Sequence, residues 1–257
     1  MPQPLIGRAG SSRHAVCEKT FMGNWKSHLA TVLVFAILCL AALEYYPKWQ
    51  HQGHEATISW DVSGYYFYLP AFLIYKDARQ LNFREEILST YRPTPELQQA
   101  YLHPSGRYVM KYSAGLSLAY LPAFTIAHLY ACNDSDFPAD GFSRPYQLAI
   151  TLNSLLWALL GLLVVRHLLV RYFSDGTAAL AILCLGLASN YLEYASVSGA
   201  MSHNYLFTIY ALLVWVSDAF WRKPGYGKAL LIGLLVGWAV LMRPTELIAV
   251  VIPLFWG

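Results

Sequence analysis

Apolar positions in this chain gather into long runs separated by short polar stretches. A hydrocarbon core of about 30 Å is crossed by a helix of about 20 mostly apolar residues. Five runs qualify: 28–46, 146–165, 177–196, 204–221, and 228–242 with its continuation to 257. A sixth, 112–131, is long enough, but Pro122 stands near its middle and Gly115 near its start. The pattern predicts an all-α integral membrane protein, a multi-helix transmembrane bundle.

Basic residues in short loops mark the cytoplasmic side of such a bundle. Arg8, Arg13, Lys19 and Lys26 place a tail over 1–27 inside, ahead of the first membrane helix at 28–46. Arg166 and Arg171 mark one further inside loop, and Arg222, Lys223 and Lys228 another. The 195–203 loop has no Lys or Arg, and 132–145 carries Asp134, Asp136 and Asp140 against Arg144; both read as external. If 112–131 crossed as well, acidic 132–145 would lie inside and every later loop would invert. The run is therefore expected to lie along or dip into the outer face, as a helix broken by Pro122. The result is a large first external loop, 47–145, with interfacial (juxtamembrane) helices at 59–76 and 112–131 and a polar connection at 77–111. Further membrane helices fill 146–257. Twelve of the 19 tyrosines fall between Tyr45 and Tyr130, which is where an aromatic belt at a membrane–water boundary belongs. That belt is also the simplest explanation of any single tyrosine in the segment.

Composition agrees. The 257 residues are 56% hydrophobic and 13% charged, whereas about a quarter of a soluble domain is charged. A net charge of +3 is too small for a nucleic-acid partner. Cys17, Cys39, Cys132 and Cys184 share no motif spacing, so neither a disulfide framework nor a metal knuckle is expected. Glu44-Tyr45-Tyr46-Pro47 follows the first run where a signal peptide would show small residues and a cleavage site. The sequence is still apolar from Ile248 to Gly257, and the chain is expected to be the N-terminal part of a longer protein.

Candidate chemistry begins at Ser59-Trp60-Asp61-Val62-Ser63-Gly64-Tyr65-Tyr66-Phe67-Tyr68, about fifteen residues beyond the first run. On a helix, Asp61, Tyr65 and Tyr68 share a face, with Gly64 beside them leaving room for a ligand. Asp61 also suits the first turn of a helix behind Ser59, worth about 0.3–1 kcal/mol against the helix dipole; the pattern leaves both readings open. Lys111, at the mouth of the second interfacial helix, either snorkels to headgroups or neutralises a phosphate. His103, in Tyr101-Leu102-His103-Pro104, is a weaker polar candidate. His203, in Met201-Ser202-His203-Asn204-Tyr205, would face the same outer cavity as Asp61, with Glu193 nearby; it is equally a helix start capped by Ser202. Arg243-Pro244-Thr245-Glu246 interrupts an apolar run. A charge at membrane depth costs about 2.5–3.5 kcal/mol on insertion scales and faces a cavity or a partner. Arg243 would pair with Glu246 or grip an anionic phosphate through its planar fork.

Together these residues resemble the GT-C superfamily of polyprenyl-phosphate-sugar-dependent glycosyltransferases, in its protein-mannosyltransferase-like and aminoarabinose-transferase-like branch. The likeness covers nearly the whole chain as that fold's N-terminal module. Asp61-Val62-Ser63-Gly64-Tyr65-Tyr66 matches the family's Asp at the start of its first external loop and the aromatic stretch behind it. Lys111-Tyr112-Ser113-Ala114-Gly115 is similar to its Tyr-Pro-Pro entry to a second juxtamembrane helix, with Ser113 and Ala114 in place of the prolines. Arg166…Arg171-Tyr172-Phe173 and Gly237…Leu241-Met242-Arg243-Pro244-Thr245 also look like family stretches. The resemblance implies inverting transfer of a sugar from a polyprenyl-phosphate-linked donor to an acceptor on the external face of a bacterial inner or plasma membrane. Asp61 would be the general base, and Lys111 and Arg243 would hold the leaving lipid phosphate. No cofactor is expected: some relatives use a divalent metal, but no paired carboxylate follows Asp61 closely. Two other classes share the features. A transporter or flippase of lipid-linked sugars needs the same cavity and intramembrane Arg, and a non-catalytic membrane assembly subunit would keep the fold.

Overall fold

The computed structural model describes residues 21–256. Most of the tail expected over 1–27, with Arg8, Arg13, Cys17 and Lys19, lies outside the described residues. The chain is mostly helical: α1 (Trp25–Leu40), α2 (Trp60–Tyr66), α3 (Arg84–Tyr91), α4 (Gly115–Asn133), α5 (Arg144–Tyr172), α6 (Asp175–Leu187), α7 (Tyr191–Ala195), α8 (Ser202–Arg222), α9 (Tyr226–Met242) and α10 (Val251–Phe255). Three stretches are long and apolar enough to cross a membrane: Trp25–Gln50, which contains α1, then α4 and α5.

The helices bury one face against each other and leave another apolar face bare. On α5, Leu152, Leu156, Leu160 and Leu163 are all exposed, and on α1 so are Leu29, Val32, Leu33, Ile37 and Leu40. Continuous bare apolar stripes of this kind are foreign to water-soluble monomers and suit a lipid environment. The opposite face of α1, with Ala30, Val34 and Leu38, joins Leu155, Leu162 and Ile182 in one core. A second core, around Tyr66, Phe67, Tyr120, Phe124, Tyr146 and Tyr205, fastens the segment after α1 to α4, α5 and α8.

Hydrogen bonds fix the directions. α5 and α8 run side by side in the same sense: Asn204 Nδ2 donates to Ser154 O at 2.8 Å, Thr208 Oγ1 to Trp157 O at 2.8 Å, and Arg171 Nη1 to Asp218 at 3.0 Å. The α1 N-terminus lies at the Asp218 end, its Lys26 and Ser27 N–H groups donating to the Asp175 carboxylate at 2.9 and 3.0 Å. α4 runs antiparallel to the first half of α5, with Asn153 Nδ2 on Ala119 O at 3.1 Å and His128 Nδ1 2.6 Å from the Tyr146 hydroxyl.

Four expected elements take a different form. The run 112–131, expected to be broken by Pro122, forms one continuous helix, α4, with Pro122 inside it. The run 177–196 is divided: α6 stops at Leu187 and α7 begins at Tyr191. The Ser189 hydroxyl donates to Leu185 O and accepts from Tyr191 N–H, offering the backbone partners outside the helical ladder. The run from 228 does not continue as one helix to 257. Arg243 is extended, Pro244 opens a 3-10 turn over Pro244–Val250, and the chain folds back along α9 until Trp221 Nε1, near the end of α8, donates to Pro253 O at 2.9 Å. Proline lacks the N–H the ladder needs and pushes the preceding residue out of the helical region. Finally, the connection 77–111 holds α3 and a two-stranded antiparallel sheet, β1 (Ala100–Leu102) paired with β2 (Tyr108–Met110), Tyr101 opposite Val109. Gly106, at φ +77°, turns this hairpin.

Candidate functional site

Asp61 occupies the first turn of α2, exposed at the surface. Ser59 does not cap that helix: its hydroxyl turns back to Ala56 O at 2.7 Å and His54 O at 2.9 Å. Trp60, between them, adopts a left-handed backbone at φ +46°, a conformation costing a bulky residue about 1–3 kcal/mol unless its surroundings enforce it. Here the Trp60 N–H is held by Pro93 O at 3.1 Å and the ring leans on His54 with centroids 5.2 Å apart.

The side chains brought to Asp61 come from the stretch leading into α4. The Tyr112 hydroxyl donates to Asp61 Oδ1 at 2.6 Å. The Tyr65 ring lies against the Tyr112 ring at 4.8 Å, and the Tyr68 hydroxyl donates to Tyr112 O at 2.5 Å. Burial, and then the hydrogen bond to Asp61 and its charge, push the Tyr112 phenol well above its ordinary value, so it stays a proton donor. Gly64 serves this pair rather than a ligand: a Cβ there would fall 2.1 Å from the Tyr112 ring. The room expected beside Gly64 is taken by Tyr112. Lys111 Nζ stands over the same ring, 5.2 Å from its centroid. Among the described residues Tyr112 is the one donor recorded for the Asp61 carboxylate, leaving Oδ2 open.

Asp61 borders a cavity of about 280 Å³ that Lys48, Thr57, Ser198, Ala200 and Met201 also line. The cavity therefore joins α2 to the loop entering α8, in whose first turn the His203 ring leans on Tyr194, centroids 4.3 Å apart and tilted by 41°. Burial and the positive charge of Arg243 hold the His203 imidazole below its ordinary value, against the opposing pull of Glu246 and Asp61. Three charged groups distant in sequence thus act on one histidine. Glu193 is engaged by the Ser198 hydroxyl at 2.7 Å.

Arg243 reaches this neighbourhood because α4 and α9 cross at their ends. Gly115 sits so close to α9 that a Cβ would fall 2.4 Å from Leu241 C, and Trp238 Nε1 donates to Gly115 O at 2.9 Å. The Arg243–Glu246 pair is loose, 3.9 Å with a single contact, while Glu246 Oε2 accepts from the Tyr210 hydroxyl at 2.6 Å. The guanidinium fork is therefore largely uncommitted. His103 is not part of this group; it sits in the β1–β2 turn, its Nδ1 3.0 Å from Ser105 Oγ.

Asp61, Tyr65, Tyr68 and Lys111 thus gather around Tyr112, and His203 and Arg243 act on one another nearby. Sequence reasoning passed over Tyr112 as the partner of Asp61, and Lys48 as a cavity wall. Gly64 carried the signal for the first: a glycine on the face that bears the acid implies a close neighbour. Nothing in the sequence marked Lys48. Among the described residues no three His, Cys, Asp or Glu side chains converge on a metal-sized site. Comparison with family models, with curated proteins and with solved structures finds no match for this chain.

Proposed function

We propose that the chain belongs to a membrane glycosyltransferase of the GT-C type, moving a sugar from a polyprenyl-phosphate donor to an acceptor at the external face. In this reading α1, α5, α6, α8 and α9 cross the bilayer in a multi-pass bundle, α2 and α4 border its outer surface, and the N-terminus is cytoplasmic. Arg171 and Arg222 at one end, and Asp134, Asp136 and Asp140 at the other, support that orientation.

One observation carries the proposal: an exposed carboxylate, held among the described residues by a single phenol, opens on a cavity, and both it and the loosely paired Arg243 act on His203. Asp61 Oδ2 takes the proton from an acceptor hydroxyl as its oxygen bonds to the anomeric carbon from the face opposite the leaving group. The bond from that carbon to the phosphate oxygen breaks, and its electron pair leaves with the polyprenyl phosphate. Lys111 and Arg243 offset the charge that develops there. Asp61→Asn is expected to lower sugar transfer by about 10²–10⁴-fold, the usual worth of a general base, with membrane insertion unchanged. Near-normal transfer by the variant sinks the assignment.

The break at Arg243-Pro244, with the chain folding back along α9, is the feature that favours a transporter of lipid-linked sugars. Donor turnover by the purified protein separates the two: a transporter moves the donor intact, and a transferase consumes it.

A further inference from the structure

The face that begins at Asp61 ends at a cluster of cations. Helical backbone continues from α2 into a π turn over Pro70–Ile74, so Tyr65, Tyr68 and Phe72 succeed Asp61 at intervals of four, three and four residues. The Tyr68 and Phe72 rings are parallel within 2°, centroids 6.5 Å apart. At about 1.5 Å per residue, Phe72 lies about 17 Å from Asp61 along this line. Beyond it opens a bay of about 530 Å³, lined by Phe72, Lys76, Asp77, Arg79, Gln80 and Arg107.

The bay is held in shape by its own hydrogen bonds. Lys76 takes a left-handed backbone at φ +51°. Asp77 accepts from the Gln80 N–H at 2.8 Å and from the Asn82 N–H and Nδ2 at 2.9 Å each. Arg79 O accepts from the Tyr108 N–H at 2.8 Å, which ties this loop to the strand that follows Arg107. Two strands of chain, one bearing Lys76 and Arg79 and the other Arg107, are thereby locked together. Among the described residues none of the three cations enters an ion pair, and the one carboxylate in the bay is occupied by the loop's own donors. Three positive charges against one negative leave a net +2 in the lining. Exposed Phe72 lines it, and Leu73, next in the chain, is exposed as well.

Exposed cations are ordinarily just solvated, yet here they converge, lack acidic partners and adjoin a bare apolar edge. Guanidinium forks match phosphate oxygens in pairs, and an apolar rim suits the chain region of the molecule that carries the phosphate. We propose that Lys76, Arg79 and Arg107 bind the phosphate of an anionic phospholipid whose chains lie against Phe72 and Leu73. The bound lipid pins the far end of the Asp61 helix to the bilayer surface. This site stands independently of the transfer reading.

The test titrates the detergent-solubilised full chain with dihexanoyl phosphatidic acid, dihexanoyl phosphatidylcholine and inorganic phosphate, followed calorimetrically. Phosphatidic acid is expected to bind saturably, phosphatidylcholine not. The Lys76→Gln/Arg79→Gln/Arg107→Gln variant should weaken binding by at least about tenfold, and added salt should weaken it in the wild type. Arg107→Glu, a single change in an exposed turn, should do the same should the triple variant fail to fold. Arg84→Gln is the control, since Arg84 rests on the Tyr108 ring at 4.9 Å instead of lining the bay. Phe72→Ser should weaken the lipid and leave inorganic phosphate unaffected. Equal binding by the charge variants, or equal binding of phosphatidylcholine, overturns the site; inorganic phosphate binding as tightly as the lipid overturns the lipid assignment. Asp61→Asn should bind phosphatidic acid like the wild type, so failure of this site and failure of the transfer reading are told apart.

Discussion

Two aspartates, set near the two ends of α8, each accept a proton-bearing hydroxyl from a tyrosine, and they are otherwise opposites. Asp218 is buried, its side chain only 4% exposed, and receives Arg171 at 3.0 Å, Arg222 at 3.0 and 3.1 Å, and the Tyr172 hydroxyl. Asp61 is exposed, lies on a cavity, and among the described residues receives Tyr112 alone. A carboxylate with every lone pair engaged is a clamp, here between the ends of α5 and α8. One with an open oxygen beside a cavity remains available for a substrate. The family-like Arg171-Tyr172 stretch therefore belongs to the clamp.

The largest expected effect separates the two acids by function. Asp61→Asn should cost about 10²–10⁴-fold in transfer and little in thermal stability, because one hydrogen bond from Tyr112 can still be accepted by the amide oxygen. Asp218→Asn should do the reverse. It removes the countercharge of two arginines, a loss of about 3–5 kcal/mol for a fully buried pair. Arg171 and Arg222 are 36% and 46% exposed, so screening makes the expected loss smaller than that. Thermal unfolding in detergent and transfer per folded molecule, measured on both variants, decide it. If Asp218→Asn abolished transfer while leaving unfolding unchanged, the division into clamp and base would be wrong.

A smaller effect sharpens the same contrast on the Asp61 side. Tyr112→Phe removes the one donor and should lower transfer by about tenfold or less, the worth of a hydrogen bond to a charged group at an exposed site. Gly64→Ala should match or exceed it without touching either polar group, since its Cβ would fall 2.1 Å from the Tyr112 ring and displace it. Should Gly64→Ala leave transfer intact, the Tyr112–Asp61 bond is incidental to the site.

How much of this the sequence carried follows from the range of each interaction. Long apolar runs report helices whose length is set by their own residues, and α1, α5 and α8 appear where the runs lie. The shared face of Asp61, Tyr65 and Tyr68 depends only on helical geometry and was legible for the same reason. The Asp61–Tyr112 bond joins positions 51 apart, and the Asp218 clamp joins positions 46 and 47 apart beside its i,i+4 contact to Arg222; no local pattern encodes these long-range bonds. An apolar run also carries no direction, so the turn back at Arg243-Pro244 was visible as a break and not as a reversal. Strands of three residues, as in β1 and β2, are too short for alternation to stand out.

The smallest effect concerns His203, which acts on the Asp61 side without touching the acid. Its imidazole is held below the ordinary 6.5 by burial first and by Arg243 second, Glu246 and Asp61 pulling the other way. The unfolded chain therefore binds the proton more readily than the folded one, and stability rises with pH where the two differ. The contribution is complete above pH 6.5 and is lost as pH falls through the lower folded value. Thermal unfolding followed from pH 7.5 down to about 5 should show this loss in the wild type and a flatter profile in His203→Gln. Because Arg243 contributes to the depression, Arg243→Gln should shrink the loss and end it at a higher pH, nearer the ordinary value. An unchanged profile in Arg243→Gln would place the guanidinium too far from His203 to act on it.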